Sequence, residues 1–392
     1  VYPLATTTGG VDVGLPTTAN FVDYVVVVQI GPEGTYKATI TCNNQISNLV
    51  VTVKQKKTYA GLGDSYSSGE GADTFDSGTD SATNRCHRAP TAWAHTVANR
   101  KSQSLDFAAC SGGLIDDFYT YNGKNYVFTG AKDTSGNQHE VPQLDHVSPS
   151  VTKLATLSVG GNNVGFPDVI TDCVYGLFAP GSQGCSGRDQ KTISTVGWFK
   201  FLQNGRPAGC FAVPGRSVDS GKPEQLCSKS GAPALHQLYE DVALRLAPAG
   251  TLIVAGYPEL FGNDATLHGC VVGTALVPGF GFRDYTVSAE DASWLNEKAL
   301  ELNNIIGKEI RAARTALATT RPDVTLKFAS GVDSEFGGHR LCDPSSWING
   351  IVFSGVIPHP DQRSFHPTSP TGGVVSDQNG QGAYARAVLA AP

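Results

Sequence analysis

Three short stretches, far apart in the chain, carry side chains able to do nucleophilic chemistry. Gly61-Leu62-Gly63-Asp64-Ser65-Tyr66-Ser67-Ser68-Gly69 follows a short apolar run and leads through a loop toward a helix. A serine there lies exposed at a strand end, where flanking glycines let a substrate approach the backbone. The plain alternative for this nonapeptide alone is a Gly/Ser turn without chemistry. Ser158-Val159-Gly160-Gly161-Asn162-Asn163-Val164-Gly165-Phe166 ends another apolar run, and Ser364-Phe365-His366-Pro367-Thr368 lies near the C-terminus. A neutral serine hydroxyl needs a base within hydrogen-bond reach, and a tetrahedral intermediate needs fixed donors where its negative charge appears. One such donor contributes about 3 to 4 kcal/mol.

With these blocks the chain resembles the SGNH (GDSL) hydrolase family, specifically its SEST-like branch of secreted esterases and lipases. The resemblance covers about residues 58–392. Its blocks are Gly63-Asp64-Ser65-Tyr66, Ala109-Cys110-Ser111-Gly112, Gly160-Gly161-Asn162-Asn163 and Phe365-His366-Pro367. Val254-Ala255-Gly256-Tyr257-Pro258 and Gly338-His339-Arg340-Leu341-Cys342 are secondary matches. The resemblance implies Ser65 as nucleophile and His366 as general base. It makes Gly112 and Asn162 oxyanion-hole donors beside the Ser65 backbone N–H. It also implies carboxylic ester hydrolysis without a cofactor, through an acyl-enzyme, on lipid-like acyl esters.

One position departs from the family pattern. An Asp three residues before the His is usual, but Arg363 stands there, with Asp361 two further back. Some members of the branch orient the His with a main-chain carbonyl. By that precedent the carbonyl of Ser364 or Arg363 accepts from His366 Nδ1–H and fixes the tautomer, with Asp361 as the alternative.

Several residues compete for these roles. Ala109-Cys110-Ser111-Gly112-Gly113 also reads as a variant nucleophile elbow directly after a strand, although tight loop packing beside a half-cystine explains Ser111 more simply. His87, His95 and His339 have no metal-ligand cluster around them in sequence and read as packing or hydrogen-bonding histidines. Asp116 and Asp117 read as carboxylates favouring a local helix dipole. No metal is expected.

The elements that must position these residues alternate. Short apolar runs at 58–62, 104–108, 154–159, 252–255 and 324–328 read as strands, with helical patterns at 92–100, 233–246 and 289–317. The last repeats Leu295, Ala299, Leu302, Ile306 and Ile310 at a period near 3.6. Five strands with intervening helices predict a flavodoxin-like three-layer α/β/α sandwich around a five-stranded parallel sheet, whose active site lies beyond the carboxyl ends of the strands. Residues 1–57 differ. Strand-like runs at 21–30, at Tyr36, Ala38, Ile40 and Cys42, and at 49–53 predict a small antiparallel β domain resembling part of an immunoglobulin sandwich. This leaves 58–392 as the catalytic domain. Within it, 172–231 is rich in Gly, Pro, Ser and Cys with only a weak helical centre, and reads as an insertion over the active end. Its apolar residues Val174, Tyr175, Leu177, Phe178, Trp198, Phe199 and Phe201 suit either a lipid-facing surface or a small local core.

Composition narrows the partners. With 40% hydrophobic residues and 16% charged, the chain buries a large core, which excludes disorder as its main state. A net charge of -6 with scattered basic residues argues against nucleic acid. No apolar run approaches the roughly 18 to 20 residues of a membrane helix, so no stable membrane insertion is expected. Met is absent and Val1 opens no signal peptide, so the chain reads as processed. Nine cysteines without a C-x-x-C pair suit disulfides in a secreted, extracellular protein. The resemblance implies pairs Cys86 with Cys110, Cys173 with Cys185, and Cys270 with Cys342. Cys210 and Cys227 make a fourth inside the insertion, leaving Cys42, whose place on the apolar side of a strand favours an inert buried thiol, with an intermolecular disulfide as the alternative. Two further readings stay open: an acetyl esterase targeted to polysaccharide by residues 1–57, and an inactive surface- or carbohydrate-binding protein on a hydrolase fold.

Overall fold

The computed structural model describes residues 57–81, 84–119, 140–166, 169–170, 202–204, 233–276, 279, 281–354, 361–370 and 377–392, and the backbone alone of 11–14, 34–42, 45–53, 209–218, 222–228, 277 and 359–360. The chain divides into two compact units, Val1–Lys56 and Lys57–Pro392. In the first, β2 (Gly34–Cys42) and β3 (Gln45–Val53) form an antiparallel hairpin in unbroken register, and β1 (Val11–Gly14) joins β2 in parallel. The alternating pattern of 36–42 anticipates β2. The run at 21–30 lies outside the described residues, and β1 is not anticipated because four residues between glycines carry too little pattern.

In the second unit β4 (Tyr59–Gly63) leads into a single helical turn, α1 (Ser65–Ser68), followed by α2 (Trp93–Lys101), β5 (Leu105–Phe107) and β6 (Leu154–Ser158). An antiparallel hairpin of β7 (Gly209–Val218) and β8 (Lys222–Ser228) precedes α3 (Leu235–Leu244) and β9 (Thr251–Ala255). Then come α4 (Asn263–His268), a second hairpin of β10 (Cys270–Val277) and β11 (Gly281–Val287), the long α5 (Ala289–Thr320), β12 (Thr325–Ala329), α6 (Val332–Glu335) and α7 (Gly380–Leu389). The hairpin at 209–228 is not anticipated, because Pro and Gly break the alternation that marks a strand pair; the centre of the insertion lies outside the described residues apart from 202–204, which are helical.

The central sheet runs β12-β9-β6-β4-β5, all parallel. Its central strands are mostly apolar because both faces are covered; every residue of β4 and β6 is buried, whereas the edge strands β5 and β12 carry Asp106 and Lys327. On α5 the residues at the 3.6 period, Leu295, Ala299, Leu302, Ile306 and Ile310, form the buried stripe. Ser288 caps that helix by accepting from Asp291 N–H at 3.1 Å. α5 packs with α3, and α7 packs with α2. The result is a flavodoxin-like α/β/α sandwich with a separate small sheet. The chain leaves β4 for β5 on one side and returns to β6 on the other. The crevice beyond the carboxyl ends of β4 and β6 is therefore the topological switch point, where such sheets bind ligands. Among the described residues no helix is long and apolar enough to cross a membrane.

Candidate active site

Ser65 opens α1 directly beyond β4. The two strand ends approach so closely that a Cβ on Gly63, whose φ is +122°, would lie 2.4 Å from the Ser158 carbonyl oxygen. Only glycine fits there. Asp64 N–H donates to that same carbonyl at 2.9 Å. The Asp64 carboxylate caps α1: Oδ1 accepts from Tyr66 N–H at 3.1 Å and from the Ser158 hydroxyl at 2.7 Å. Oδ2 accepts a short bond from the Tyr257 hydroxyl, whose oxygen in turn accepts from Gly161 N–H at 3.2 Å. Burial pushes the Asp64 carboxyl up to about 6, against the opposing pull of these donors. Gln143 clamps Gly63 through both its N–H and its carbonyl, at 2.7 and 3.0 Å. Ser65 is thus the first residue of a short helix with a fixed start, where a backbone N–H has no acceptor within the helix.

The loops after β5 and β6 close on this turn. Cys110 N–H donates to the Gly63 carbonyl at 3.0 Å, and the Cys86–Cys110 disulfide fixes the loop from behind. Gly112 follows in the left-handed region at φ +73°. Asn162 heads a short 3-10 turn after β6 and donates from Nδ2 to the Gly113 carbonyl at 3.0 Å. That bond uses one of its two amide hydrogens and orients the other. The neighbouring Asn163 accepts from Ile115 N–H at 3.2 Å.

The histidine arrives on a loop tied to the same turn. His366 Nδ1 lies 2.9 Å from the Ser364 carbonyl oxygen. A carbonyl only accepts, so Nδ1 carries the hydrogen and Nε2 presents its lone pair. Burial lowers the His366 pKa, while the charge of Glu70 and the carbonyls of Ser364 and Gln362 pull the other way. Phe365, at φ +62°, makes the sharp turn between Ser364 and His366, and its carbonyl accepts from the Tyr66 hydroxyl at 2.9 Å. The Tyr66 and His366 rings lie 5.2 Å apart. Asn349 completes the attachment: its N–H donates to the His366 carbonyl at 2.9 Å, and its Nδ2 donates to the carbonyls of Gly71 and Arg363 at 3.0 and 3.1 Å.

Asp361 is engaged elsewhere. Its Oδ1 accepts from Arg363 Nε at 2.9 Å and from Arg363 N–H at 3.0 Å, and Arg363 also pairs with Asp73 at 2.8 Å. Burial raises the Asp361 pKa, but these bonds outweigh it and the pKa is lowered. Ser111 lies in a turn beside the disulfide, its N–H on the Cys86 carbonyl at 3.0 Å; no α-helix follows it directly, as an elbow requires. Asp117 caps its own turn by accepting from Leu114 N–H at 2.8 Å. His339 stacks on Trp347 with ring centroids 3.6 Å apart. The Cys270–Cys342 disulfide joins β10 to the 342 loop. Cys173 and Cys185 lie outside the described residues, as do the side chains of Cys42, Cys210 and Cys227, although residues 210 and 227 stand opposite each other in the β7–β8 ladder. Among the described residues no group of three or more His, Cys, Asp or Glu side chains is arranged to hold a metal ion.

Sequence reasoning passed over the residues that hold the site together. Gln143 and Asn349 are absent from it, and Tyr66, Asp64, Ser158 and Tyr257 appear there only inside motif blocks, with no role of their own. Only Asp64 had a legible signal, as an Asp immediately before a helix start. The sequence also suggests no carboxylate beside His87, whereas the fold sets Glu70 on its Nδ1 at 2.8 Å and Asp80 3.3 Å from its Nε2.

Fold and site together define an α/β/α protein with a serine opening the helical turn after β4, an asparagine heading the turn after β6, and a histidine on a loop tied to the serine turn through Tyr66. No family model matches the chain. It is 26% identical to a lipase of Streptomyces rimosus over 316 residues, 80% of this chain and 82% of that one. It is also 26% identical to lipase 1 of Streptomyces coelicolor over 324 residues, 82% of this chain and 85% of that one. A crystal structure of phospholipase A1 from Streptomyces albidoflavus superposes with a TM-score of 0.51 at 25% identity, covering 86% of this chain and 98% of the other. The chain is a homologue of these Streptomyces enzymes.

Proposed function

We propose that the chain is a secreted serine carboxylic ester hydrolase of the SGNH type, with residues 58–392 as its catalytic domain and 1–57 as a separate small β domain. Ser65 attacks the ester carbonyl, and His366 Nε2 takes the hydroxyl proton as Nδ1–H remains on the Ser364 carbonyl. The Ser65 and Gly112 N–H groups and the second amide hydrogen of Asn162 receive the developing oxyanion. Collapse expels the alcohol, which takes the proton back from His366, and a water activated by the same imidazole then releases the acid. Asp361 is left to its arginine.

The observation that carries this reading is the tie between the helix that begins at Ser65 and the loop that ends at His366, made by the Tyr66 hydroxyl on the Phe365 carbonyl. Likeness to enzymes named lipase and phospholipase A1 supports lipid-like acyl esters as substrates. The test is turnover of p-nitrophenyl esters of increasing acyl length, with and without a serine-directed phosphonate. Phosphonate-sensitive turnover that extends to long chains supports a lipase. Activity confined to acetyl esters makes it an acetyl esterase, and no turnover at any length defeats the enzymatic reading.

A further inference from the structure

Glu70 is a buried carboxylate outside the roles assigned above. It follows α1 by two residues, is 1% exposed, and its N–H donates to the Ser65 carbonyl at 3.2 Å. Both its oxygens lie on His87 Nδ1, at 2.8 and 2.9 Å. His87 is itself held in the left-handed region at φ +46° and stacked on Phe75 with centroids 4.6 Å apart. A charge this deep is retained only where something uses or compensates it.

The turn bearing Glu70 is stitched to the histidine loop at three places. A Cβ on Gly71 would lie 2.1 Å from the Pro367 carbonyl oxygen, so the next residue after Glu70 touches the next residue after His366. Asn349 Nδ2 bridges the Gly71 and Arg363 carbonyls, and Arg363 reaches Asp73. Meanwhile His366 Nδ1 faces a neutral carbonyl, and the nearest triad-like carboxylate, Asp361, is paired with Arg363.

Resting on the reading of Ser65 and His366 as nucleophile and base, we infer that Glu70, anchored by His87, is the positioning carboxylate of this site. It stabilises through space the imidazolium formed when His366 takes the serine proton, where a triad aspartate does so by a direct bond. The charged groups around the cluster are consistent with that role. Toward His366, the charge of Glu70 favours the imidazolium and that of His87 opposes it more weakly. Toward His87, burial disfavours the charged form and Arg85 opposes it, but Glu70 and Asp80 outweigh both and raise its pKa. Asp80 and Arg85 are exposed and screened by solvent, so the buried Glu70 dominates. Asp361 and Asp73 are each matched by Arg363.

The test compares pH profiles of kcat/KM for the parent, Glu70→Gln and His87→Asn on a short p-nitrophenyl ester. Removing the negative charge should move the acid limb down by about half a pH unit or more and lower kcat about tenfold, with KM nearly unchanged. Removing the cationic partner should move the limb the opposite way. Glu70→Gln with a limb and kcat equal to the parent's overturns the inference, as do shifts of the same sign in both variants. If either variant fails to fold, the His366 ring is titrated by NMR in the unmodified protein. A second inflection where His87 titrates supports the coupling, and a single inflection overturns it. Ser65→Ala separates the two claims: full turnover in it defeats the underlying reading, whereas an inactive Ser65→Ala with an unmoved Glu70→Gln limb defeats only the role of Glu70.

Discussion

The Tyr66 hydroxyl donates to the Phe365 carbonyl at 2.9 Å, joining residues 299 positions apart in the chain. Each is the immediate neighbour of a residue proposed to react, so this bond, beside those of Asn349 and Arg363, helps set how the histidine loop meets the nucleophile turn. In Tyr66→Phe the buried carbonyl loses its donor, at a cost of about 1 to 3 kcal/mol. The expected result is a lower denaturation midpoint together with a fall in kcat of about tenfold or more at near-constant KM, because a displaced base acts on the chemical step. Loss of stability without loss of kcat would show that the loop keeps its place by other ties.

Ser65→Ala and Ser111→Ala separate the two serines. The first should lower kcat on the order of ten-thousandfold and abolish labelling by a phosphonate, with an unchanged melting temperature. The second should stay within about threefold of the parent. Intact labelling of the Ser65→Ala protein would move the nucleophile elsewhere.

Asp361→Asn tests the missing carboxylate. Asp361 bonds Arg363 and not His366, so the variant should lose no more than about threefold in activity and little stability, since partly exposed ion pairs contribute about 1 kcal/mol or less. A thousandfold loss with the fold intact would mean that this side chain reaches the imidazole during turnover.

The fold was largely legible from sequence because buried parallel strands and one-faced helices each leave a periodic trace. The five sheet strands fall within about a residue of the apolar runs, and the 3.6-period stripe of α5 is the stripe that packs. What stayed hidden has a physical cause. The β10–β11 hairpin went unread: β11 carries Arg283 and Asp284 and is exposed over most of its length, so it shows neither a continuous apolar run nor a clean alternation. In the site, the blocks around Ser65, Asn162 and His366 announced themselves by local pattern, whereas Tyr66, Gln143, Asn349 and Glu70 act through tertiary bonds 80 or more residues long or through burial, neither of which leaves a spacing to read.

The acid limb of activity should lie low. The imidazole must be neutral to accept the serine proton, and burial lowers the His366 pKa below the ordinary value of about 6.5. Its active form therefore persists as the pH falls past that value, and kcat/KM should reach half its plateau below pH 6.5 or so. A half-plateau clearly above that pH would mean that the surrounding negative charge outweighs burial.

Asp64 makes the opposite kind of prediction, on stability. Its carboxyl is raised to about 6 in the folded protein from an ordinary value near 4, so between those values the folded state holds a proton that the unfolded chain has released. The stability this contributes is present in full below about pH 4 and is lost as the pH rises through about 6, a change on the order of 3 kcal/mol. Asp64→Asn cannot titrate. The stability of the parent relative to this variant should therefore fall between pH 4 and pH 7 and then level off, measured by urea unfolding at fixed ionic strength. A difference that is flat across that range would show that the donors from Tyr66, Ser158 and Tyr257 keep the carboxylate ionised throughout, and that Asp64 serves the nucleophile turn as an anion at every pH.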